Sequence, residues 1–512
     1  MYSAGPIQTT KQSHRLCEEG LELRALQAPR VLHSPRVPLV RAWRYLIELR
    51  IDDAWQMIAQ LEEILAGSND AHGPRYREFA ELLKAIACVL TSRKVEAICQ
   101  ALTIIERRRR SEARSPALSA ALRIGYWKAR DMDRYYAVPH CRGNHGFASI
   151  AALSFEALAE AEQLRLAVAT KLASSAHERA VTRFGKPTPV TGRCAVVLSE
   201  LLFETGHRAG LDSLIMDSLA AVRASGDQEC ALRGYRLLSR LAERRGYQEF
   251  AFLILREAEA LAIARDWAGM LAEVCLLRMQ LLLKESRAAE ALLCLDRIGK
   301  LARSRLGMSD EKLHECHALA QAHMLIATGE AQAGANILRE LHAANCIQQN
   351  NYTALRLSVQ LANALLASDE RPEGRALLIW ALQVGARAGI YETFVDAGEH
   401  AAELLRSLHL TPPQEAGLPV EFHPYLESIL SDRAFIPSGS KSRRVVHVAE
   451  SLSPRERTIL RSMSSGRSTK QIAQDLHIAP ETVKTHVKGI FVKLAVQTRA
   501  HAVSAANALG LL

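Results

Sequence analysis

Hydrophobic residues recur every three or four positions along most of the chain between residues 40 and 405, and β-branched runs are few. This periodicity predicts amphipathic helices, because positions three and four apart share one helix face. The segments are rich in Ala, Leu, Glu and Arg, which favour helices. Residues 247–264 and 375–388 are the clearest examples. The pattern therefore predicts an all-α body.

Small residues at regular intervals indicate that these helices form hairpin repeats. Each lies shortly after a predicted turn, and within two groups successive ones are 40 to 43 residues apart: Ala54 and Ala97, then Gly210, Ala251, Ala291, Gly334 and Gly374. A small side chain lets the two helices of a hairpin approach closely, as in tetratricopeptide-like repeats. We expect the hairpins to stack into a solenoid with one continuous core and a concave binding surface.

Glycines and prolines interrupt the helical pattern at several places. The signal fades at residues 131–146 and 184–192, where we expect loops between sub-bundles. Residues 1–38 are polar and contain prolines, which predicts a loosely ordered start. Residues 431–450 form a predicted flexible basic linker. The predicted domains are accordingly a helical-repeat sensor or interaction domain, residues 39–430, and a C-terminal module, residues 451–512.

The C-terminal module carries signals for four helices. Capping boxes, in which a serine is followed three residues later by Glu or Gln, open the first two helices at Ser453 and Ser468. Gly466 suits the left-handed end of the first helix. Further helices are predicted from residue 480 or 481 to 494 and at 499–509. The helix that opens at Ser468 is short, and a brief turn joins it to the longer, basic helix that follows. This arrangement describes a helix-turn-helix.

The chain's excess of positive charge lies in this module. Residues 441–512 hold twelve basic and four acidic residues and so carry +8 of the chain's net charge of +10, which leaves +2 for residues 1–440. A basic module on a nearly neutral body predicts a polyanion-binding unit joined to a part that controls it.

The outward face of the third predicted module helix carries the candidate DNA contacts. Lys484 and Lys488 are four residues apart and therefore share one side of the helix, with Thr485 between them. Lysine can reach guanine or a phosphate, and the threonine methyl group can meet a thymine methyl group. Further predicted DNA contacts are Ser468, Thr469, Lys470, Thr482 and Arg499.

Three runs of this module resemble the LuxR-type DNA-binding domain: Leu452-Ser-Pro-Arg-Glu-Arg457, Ser468-Thr-Lys-Gln-Ile-Ala473 and Glu481-Thr-Val-Lys-Thr-His486. The resemblance implies a four-helix domain whose recognition helix, residues 481–494, enters the major groove. It also implies that the three outward residues named above contact bases and backbone, and that the last helix can serve dimerisation. Ala479, Ala495 and Thr498 depart from the usual family residues, and none of them is a contact residue.

The body resembles the helical sensor half of MalT-like activators. Residues 37–54 are similar to the opening repeat of that half, and residues 394–405 are similar to its closing element. Such regulators carry an N-terminal nucleotide-binding domain with a G-x-x-x-x-G-K-[ST] phosphate loop, and no such run occurs in this sequence. We therefore expect a sensor and an effector domain without the ATPase, and no cofactor.

Three other clusters are weaker candidates for metal, ligand or nucleic-acid contacts: His314, His317 and His323; His140, Cys141 and His145; and the four arginines at residues 107–110. The apolar neighbours of the first cluster favour an ordinary packed helix over a metal site. The second cluster lies in a glycine-rich predicted loop and stays open as a ligand or metal contact. The arginines end a helix, where the dipole favours cations, so a solvated face is the preferred interpretation.

Cysteine usage and hydropathy predict the compartment. The ten cysteines include no C-x-x-C pair, and most lie inside apolar helical patterns, which is typical of a reducing environment. The sequence has neither an apolar stretch of membrane-spanning length nor a secretory signal. We therefore expect a cytoplasmic protein.

Together these features predict a DNA-binding transcription regulator, an activator rather than a repressor, whose body senses a small-molecule or protein effector. The expected partners are double-stranded DNA, RNA polymerase, the effector and a second copy of the chain on DNA. One alternative is a protein-interaction adaptor whose basic tail holds nucleic acid nonspecifically. Another is an enzyme in the loop around His140, although no catalytic motif supports it.

Overall fold

The computed structural model describes residues 35–66, 73–91, 94–111, 115–139, 147–185, 188–304, 311–368, 370–411, 417–432, 453–476, 478–493, 499 and 502. Within these ranges the regular elements are helices and no strand occurs. The all-α prediction is therefore confirmed. Most of the N-terminal segment, most of the linker, most of the fourth module helix and the loop around His140 fall outside the described residues.

The first part of the body contains α1 (Arg36–Ile47), α2 (Ile51–Ala66), α3 (Gly73–Thr91), α4 (Val95–Ser111), α5 (Pro116–Lys128), α6 (Met132–Ala137), α7 (Phe147–Glu162) and α8 (Leu166–Phe184). The start of α1 at Arg36 means that the last residues of the segment 1–38 already belong to a helix. The loop expected at 131–146 contains α6, because the Asp131 carboxylate accepts a hydrogen bond from the Arg134 N–H at 3.1 Å and caps the helix.

The second part contains α9 (Pro189–Glu204), α10 (Leu211–Ala224), α11 (Gln228–Arg244), α12 (Gln248–Ala264), α13 (Ala268–Lys284), α14 (Ala288–Ser304), α15 (Glu311–Ala327), α16 (Ala331–Ile347), α17 (Asn351–Leu366) and α18 (Arg371–Ala388). The break expected at 184–192 is shorter than predicted. Gly185 ends α8 with φ +60°, but α9 already begins at Pro189, capped by Thr188.

Shorter elements follow: α19 (Glu392–Val395), α20 (Glu399–Leu410), a 3₁₀ turn (Val420–Phe422) and α21 (His423–Leu430). The C-terminal module contributes α22 (Pro454–Ser464), α23 (Thr469–Asp475) and α24 (Pro480–Lys493). The predicted starts of α22 and α23 agree closely with these bounds, because each rests on a local capping box.

The body helices form two rows. From α1 to α15, each odd-numbered helix packs against the next odd-numbered helix as well as against its hairpin partners. The inner helices α9 and α13 consequently bury residues on most sides, whereas the outer α12 buries one stripe that includes Ala251, Leu255 and Ala258. This two-row stack is a tetratricopeptide-like solenoid, as predicted.

The apolar core of the solenoid is divided along the chain. The described body residues form four buried clusters rather than one continuous core. Neighbouring clusters are bridged by half-buried leucines, namely Leu202, Leu319 and Leu377. Each hairpin therefore depends mainly on the packing of its immediate neighbours.

Most of the regularly spaced small residues lie at the fourth position of an even-numbered helix: Ala54, Ala251, Ala291, Gly334 and Gly374. At Gly374 a Cβ atom would lie 2.9 Å from Leu365 Cβ and 3.0 Å from the backbone nitrogen of Leu366. A larger side chain would therefore force α18 away from α17.

Two of the spaced residues have other roles. Ala97 is the third residue of α4 and is half-buried. Gly210 precedes α10 with φ +75°, and no atom lies within 4 Å of the position that its Cβ would take. At Ala97 the carbonyl accepts a contact from Cys88 Sγ of the neighbouring helix at 3.6 Å. The close-packing prediction was wrong at Gly210, because sequence spacing alone does not place the first residue of a helix.

A recurrent turn with one left-handed residue joins many helices. At Gly246, with φ +79°, the glycine N–H donates to the Glu243 carbonyl at 2.8 Å, and the Tyr247 N–H donates to the Ala242 carbonyl at 2.9 Å. These bonds satisfy carbonyl groups of the last helical turn. Non-glycine residues take the same position with φ between 51° and 60° at Leu49, Leu164, Asp266, Ser286 and Gln349.

The C-terminal end of the body packs back onto its middle. Thr393 donates its backbone N–H and its hydroxyl to the Glu204 carboxylate at 3.0 and 2.7 Å. The neighbouring Glu392 carboxylate is fully buried and pairs with Arg208 and, at 3.0 Å, with Arg244. Residues of α19 thus connect to α9 and α11 across most of the second part of the solenoid.

A carboxylate surrounded by cations strengthens this contact. Asp396 pairs with Arg240 at 2.5 Å and Arg244 at 2.7 Å, and Lys284 Nζ lies 3.7 Å from it. Burial alone would raise the pKa of Asp396, but the three cations outweigh burial and hold that pKa well below its usual range.

Candidate DNA interface

A small apolar core holds the three described helices of the C-terminal module together. The recognition-helix candidate α24 packs against both α22 and α23. Ile459, Ile472, Val483 and Ile490 are fully buried between them. Because Val483 and Ile490 fix one side of α24 against this core, the opposite side of the helix faces solvent.

Both predicted capping boxes are present. Ser453 Oγ accepts from the Glu456 N–H at 3.2 Å, while the Ser453 N–H donates to Glu456 Oε2 at 2.7 Å. Ser468 and Gln471 make the equivalent bonds at 3.4 and 2.8 Å. Ser468, predicted as a DNA contact, is therefore also the cap of α23.

The turn between α23 and α24 is held by backbone and arginine contacts. The Ile478 N–H donates to the Ala473 carbonyl at 3.0 Å, and the Thr482 N–H donates to the Ala479 carbonyl at 3.0 Å. Arg455 of α22 donates to the Leu476 carbonyl at 2.8 Å. These bonds set the angle at which α24 leaves α23, as a helix-turn-helix requires.

The exposed face of α24 brings together four of the predicted contact residues: Thr482, Lys484, Thr485 and Lys488. Lys484 Nζ lies 2.7 Å from Glu481 Oε1, with both side chains largely exposed. Thr485 Oγ1 donates to the Glu481 carbonyl at 3.1 Å. Lys488 is exposed and makes no ion pair within the described part of the chain. An exposed ion pair such as that of Lys484 is weak and is easily exchanged for a phosphate.

The start of α23 adds a second group of polar side chains. Ser468 and Lys470 are exposed, and Thr469 is half-buried. Lys470 has no ion-pair partner among the described residues. Their assignment as DNA contacts stays a prediction, as does that of the residues on α24.

Arg499 differs from the other predicted contacts. Its Nη2 donates to the Met463 carbonyl at 3.0 Å and to the Arg467 carbonyl at 2.5 Å. These carbonyls flank Gly466, which takes φ +77° at the end of α22. The arginine thus ties the start of the last predicted helix to the α22–α23 turn, a role that sequence spacing did not indicate.

The weaker candidate sites look like ordinary packing where they are described. His323 Nε2 lies 3.1 Å from Gln280 Nε2, and burial together with Lys284 and Arg356 lowers the pKa of His323 to about 4. Within the described ranges no group of three His, Cys, Asp or Glu side chains is arranged to hold a metal ion. The cluster around His140 lies outside these ranges.

Two arginines of the run at residues 107–110 make ion pairs with glutamates of the neighbouring α3. Arg107 pairs with Glu81 at 3.8 Å, and Arg108 pairs with Glu78 at 3.3 Å. Among the described helices, none combines the length and hydropathy that a membrane-spanning segment needs.

The body has a structural counterpart among solved proteins. It is similar to a Rap protein whose crystal structure shows it complexed with Competence and Sporulation Factor. The TM-score is 0.52 and the sequence identity 12%, over 69% of this chain and 98% of that one. At this identity the likeness concerns the fold, and it agrees with the helical-repeat architecture of the body.

The C-terminal module has relatives in sequence. Residues 450–506 match the family described as bacterial regulatory proteins, luxR family. Two proteins named probable transcriptional regulatory protein NarL, from Mycobacterium tuberculosis strains CDC 1551 / Oshkosh and ATCC 25618 / H37Rv, are each 44% identical over 75 residues. The match covers 15% of this chain and 35% of the length of these relatives. The C-terminal module of this chain is therefore a LuxR-family helix-turn-helix domain.

Proposed function

We propose that the chain is a DNA-binding transcription regulator in which α24 enters the major groove of double-stranded DNA and the helical body controls that binding. The observation that carries the proposal is the exposed lysine and threonine face of α24, on a helix whose other side is fixed by Val483 and Ile490. The similarity to the NarL relatives, whose names describe transcriptional regulators, supports the same function.

The proposed contacts divide into two groups. Lys484, Thr485 and Lys488 would contact bases and backbone in the groove, since they share the exposed face of α24. Residues at the start of α23, together with Thr482, would contact phosphates: Ser468, Thr469 and Lys470. Arg499 would act by positioning the last helix, because its guanidinium binds backbone carbonyls.

The body would bind a small-molecule or protein effector. The support is its likeness to the Rap fold, since that Rap protein is complexed with a factor. Effector binding would change how a second copy of the chain pairs on DNA. Activation by contact with RNA polymerase, a cytoplasmic location and the lack of catalytic activity complete the proposal.

Selection of bound duplexes from a random pool by the full chain tests this function. The regulator should enrich a defined motif. Lys484→Ala and Lys488→Ala should each weaken binding to it by about 1–3 kcal/mol, or about 5- to 150-fold. Lys300→Ala, an exposed lysine of the body, is the matched control and should change nothing.

The adaptor function remains the second candidate, because helical repeats commonly bind proteins. An adaptor would hold DNA through charge alone, and the selection would then enrich no motif. The lysine variants would in that case lose affinity equally for every duplex.

A further inference from the structure

A cleft of about 220 Å³ lies where the first hairpin of the solenoid meets its middle. Its walls come from the α1–α2 turn, the end of α3, α7, the start of α11 and the start of α13. The volume is below the roughly 300–1,000 Å³ of pockets for drug-sized ligands, so the occupant must be small.

Close backbone contact fixes the two sides of the cleft. The Ile51 N–H donates to the Ser225 carbonyl at 2.7 Å, across the gap between α2 and α10. Gly226 has φ +77°, and a Cβ there would lie 2.5 Å from Asp52 Oδ1. The first hairpin thus packs directly against the α10–α11 turn, and these contacts hold the two walls of the cleft in place.

The cleft is lined by aromatic rings and carboxylates. Trp55, Trp267 and Phe155 contribute the rings, and none of the lining residues is Lys, Arg or His. Two lining carboxylates already have buried or half-buried arginine partners: Asp227 pairs with Arg193 at 2.5 Å, and Glu229 pairs with Arg233 at 2.9 Å. Arg193 also lies over the Phe155 ring at 3.6 Å, so a cation beside a carboxylate and an aromatic ring is the arrangement that this wall already holds.

The third lining carboxylate, Asp52, is held by a replaceable partner. It pairs with Arg265, and the two side chains are 51% and 33% exposed. Ion pairs at such exposed positions contribute little to stability. The Arg265 guanidinium carbon also lies 5.5 Å from the centre of the Trp267 ring. Arg265 thus contacts a carboxylate and an indole, as a ligand cation would, and its Nη2 also donates to the Arg223 carbonyl at 3.3 Å.

We propose that this cleft binds a small organic amine. The ammonium group takes the place of Arg265 between Asp52 and Trp267, and the apolar part of the amine lies against Trp55. The inference rests on the proposed function and deepens it, because it gives the body a site and a chemical class for its effector.

Tryptophan fluorescence of the full chain tests the site directly, since Trp55 and Trp267 line it. The probe is phenethylammonium chloride, compared with 3-phenylpropionate and 2-phenylethanol at equal ionic strength. The cation should give a saturable change, and the anion and the alcohol should bind about tenfold more weakly or not at all. Equal binding of the anion, or no saturable binding of the cation, would overturn the proposal.

Matched variants locate the binding. Asp52→Asn should weaken the cation by about tenfold, whereas Asp53→Asn, one residue along and paired with Arg50 at 2.7 Å, should leave it unchanged. Arg265→Gln should tighten binding, because it removes the internal competitor, and a misfolded variant could not produce that gain. Unchanged affinity in both Asp52→Asn and Arg265→Gln would place the probe elsewhere and refute the site.

Binding to the selected DNA duplex, measured without the amine, keeps the two proposals separable. Specific DNA binding without saturable amine binding would refute the cleft and leave the regulator function standing. Saturable amine binding without specific DNA binding would support the cleft and refute the regulator function.

Discussion

The helical body and the C-terminal module stabilise their helices in different ways. Several long body helices begin at residues whose side chains make no capping bond, namely Tyr247, Trp267, Glu330 and Glu370. In the module, α22 and α23 both begin with complete capping boxes. Other body helices do have side-chain caps, at Ser115, Asp131, Thr188 and Asp227. The long body helices without a cap rely on packing between neighbours, whereas α22 and α23 of the module each have a complete local cap.

The size of the apolar core explains this difference. Inner body helices such as α9 and α13 are covered by neighbours on most of their surface, whereas the described module core consists of a few residues around Ile459 and Ile472. A small core gives little net stability, so local caps decide whether short helices form. Substitutions in the body should consequently matter where groups are buried, and substitutions in the module where helices begin.

Glu392→Gln should have the largest effect, because it breaks the body where charge is most deeply buried. The variant removes a fully buried carboxylate from Arg208 and Arg244, which keep Asp432 and Asp396 as partners. Because these partners remain, we expect a loss of about 3 kcal/mol, the low end of the range for breaking a buried ion pair. Thermal unfolding followed by circular dichroism should show a lower Tm for the body. The exposed Glu290→Gln is the control, and an equal Tm for both variants would contradict the account.

Gly374→Ala should destabilise the body by about 1–3 kcal/mol, because the new methyl group would overlap backbone atoms of α17. The matched control is Gly234→Ala in the middle of α11, where a Cβ meets atoms only at 3.5 Å or more. That control should be neutral or slightly stabilising, since alanine favours helices. Similar Tm values for the two variants would argue against close helix packing as the basis of the repeat.

Ser453→Ala should destabilise α22 by about 1 kcal/mol through loss of its cap. Hydrogen exchange of the α22 amides measures this effect locally. Ser464→Ala, whose hydroxyl donates only to the Arg461 carbonyl within the same helix, is the control. Unchanged exchange in Ser453→Ala would mean that the module does not depend on its caps.

Ser286→Gly should stabilise the body slightly, by about 0.5 kcal/mol. Glycine takes φ +60° without strain, and this gain should exceed the cost of the greater conformational entropy of glycine in the unfolded chain. The reverse change at an equivalent turn, Gly246→Ala, should lower the free energy of unfolding by about 1 kcal/mol. Denaturant unfolding distinguishes the two signs. A loss of stability in both variants would refute the role given to this turn.

The sequence predicts the features that depend on neighbouring residues. Both capping boxes, the Gly466 turn and the outward position of Lys484 and Lys488 follow from local spacing, and the structure contains each of them. The close-packed small residues such as Gly374 were predictable for a different reason, because the hairpin repeats at a nearly fixed interval along the chain.

Features that depend on distant residues were not predictable. Glu392 and Arg244 are 148 positions apart, and nothing in either neighbourhood indicates their pairing. Arg499 reaches backbone carbonyls of the α22–α23 turn only in the folded module. Ser286 and Gln349 take left-handed conformations that their side chains do not favour, so the recurrent turn was visible only in the structure.

Sequence-specific binding by α24 can be measured as the ratio of the full chain's affinities for a selected duplex and for a shuffled duplex of the same composition. We expect a ratio of about 10³ or more at physiological salt. Exchanging both Lys484 and Lys488 for alanine should lower the ratio, because the selected duplex loses more affinity than the shuffled one. Equal affinity for the two duplexes, with an equal loss in the variant, would contradict sequence-specific binding by α24.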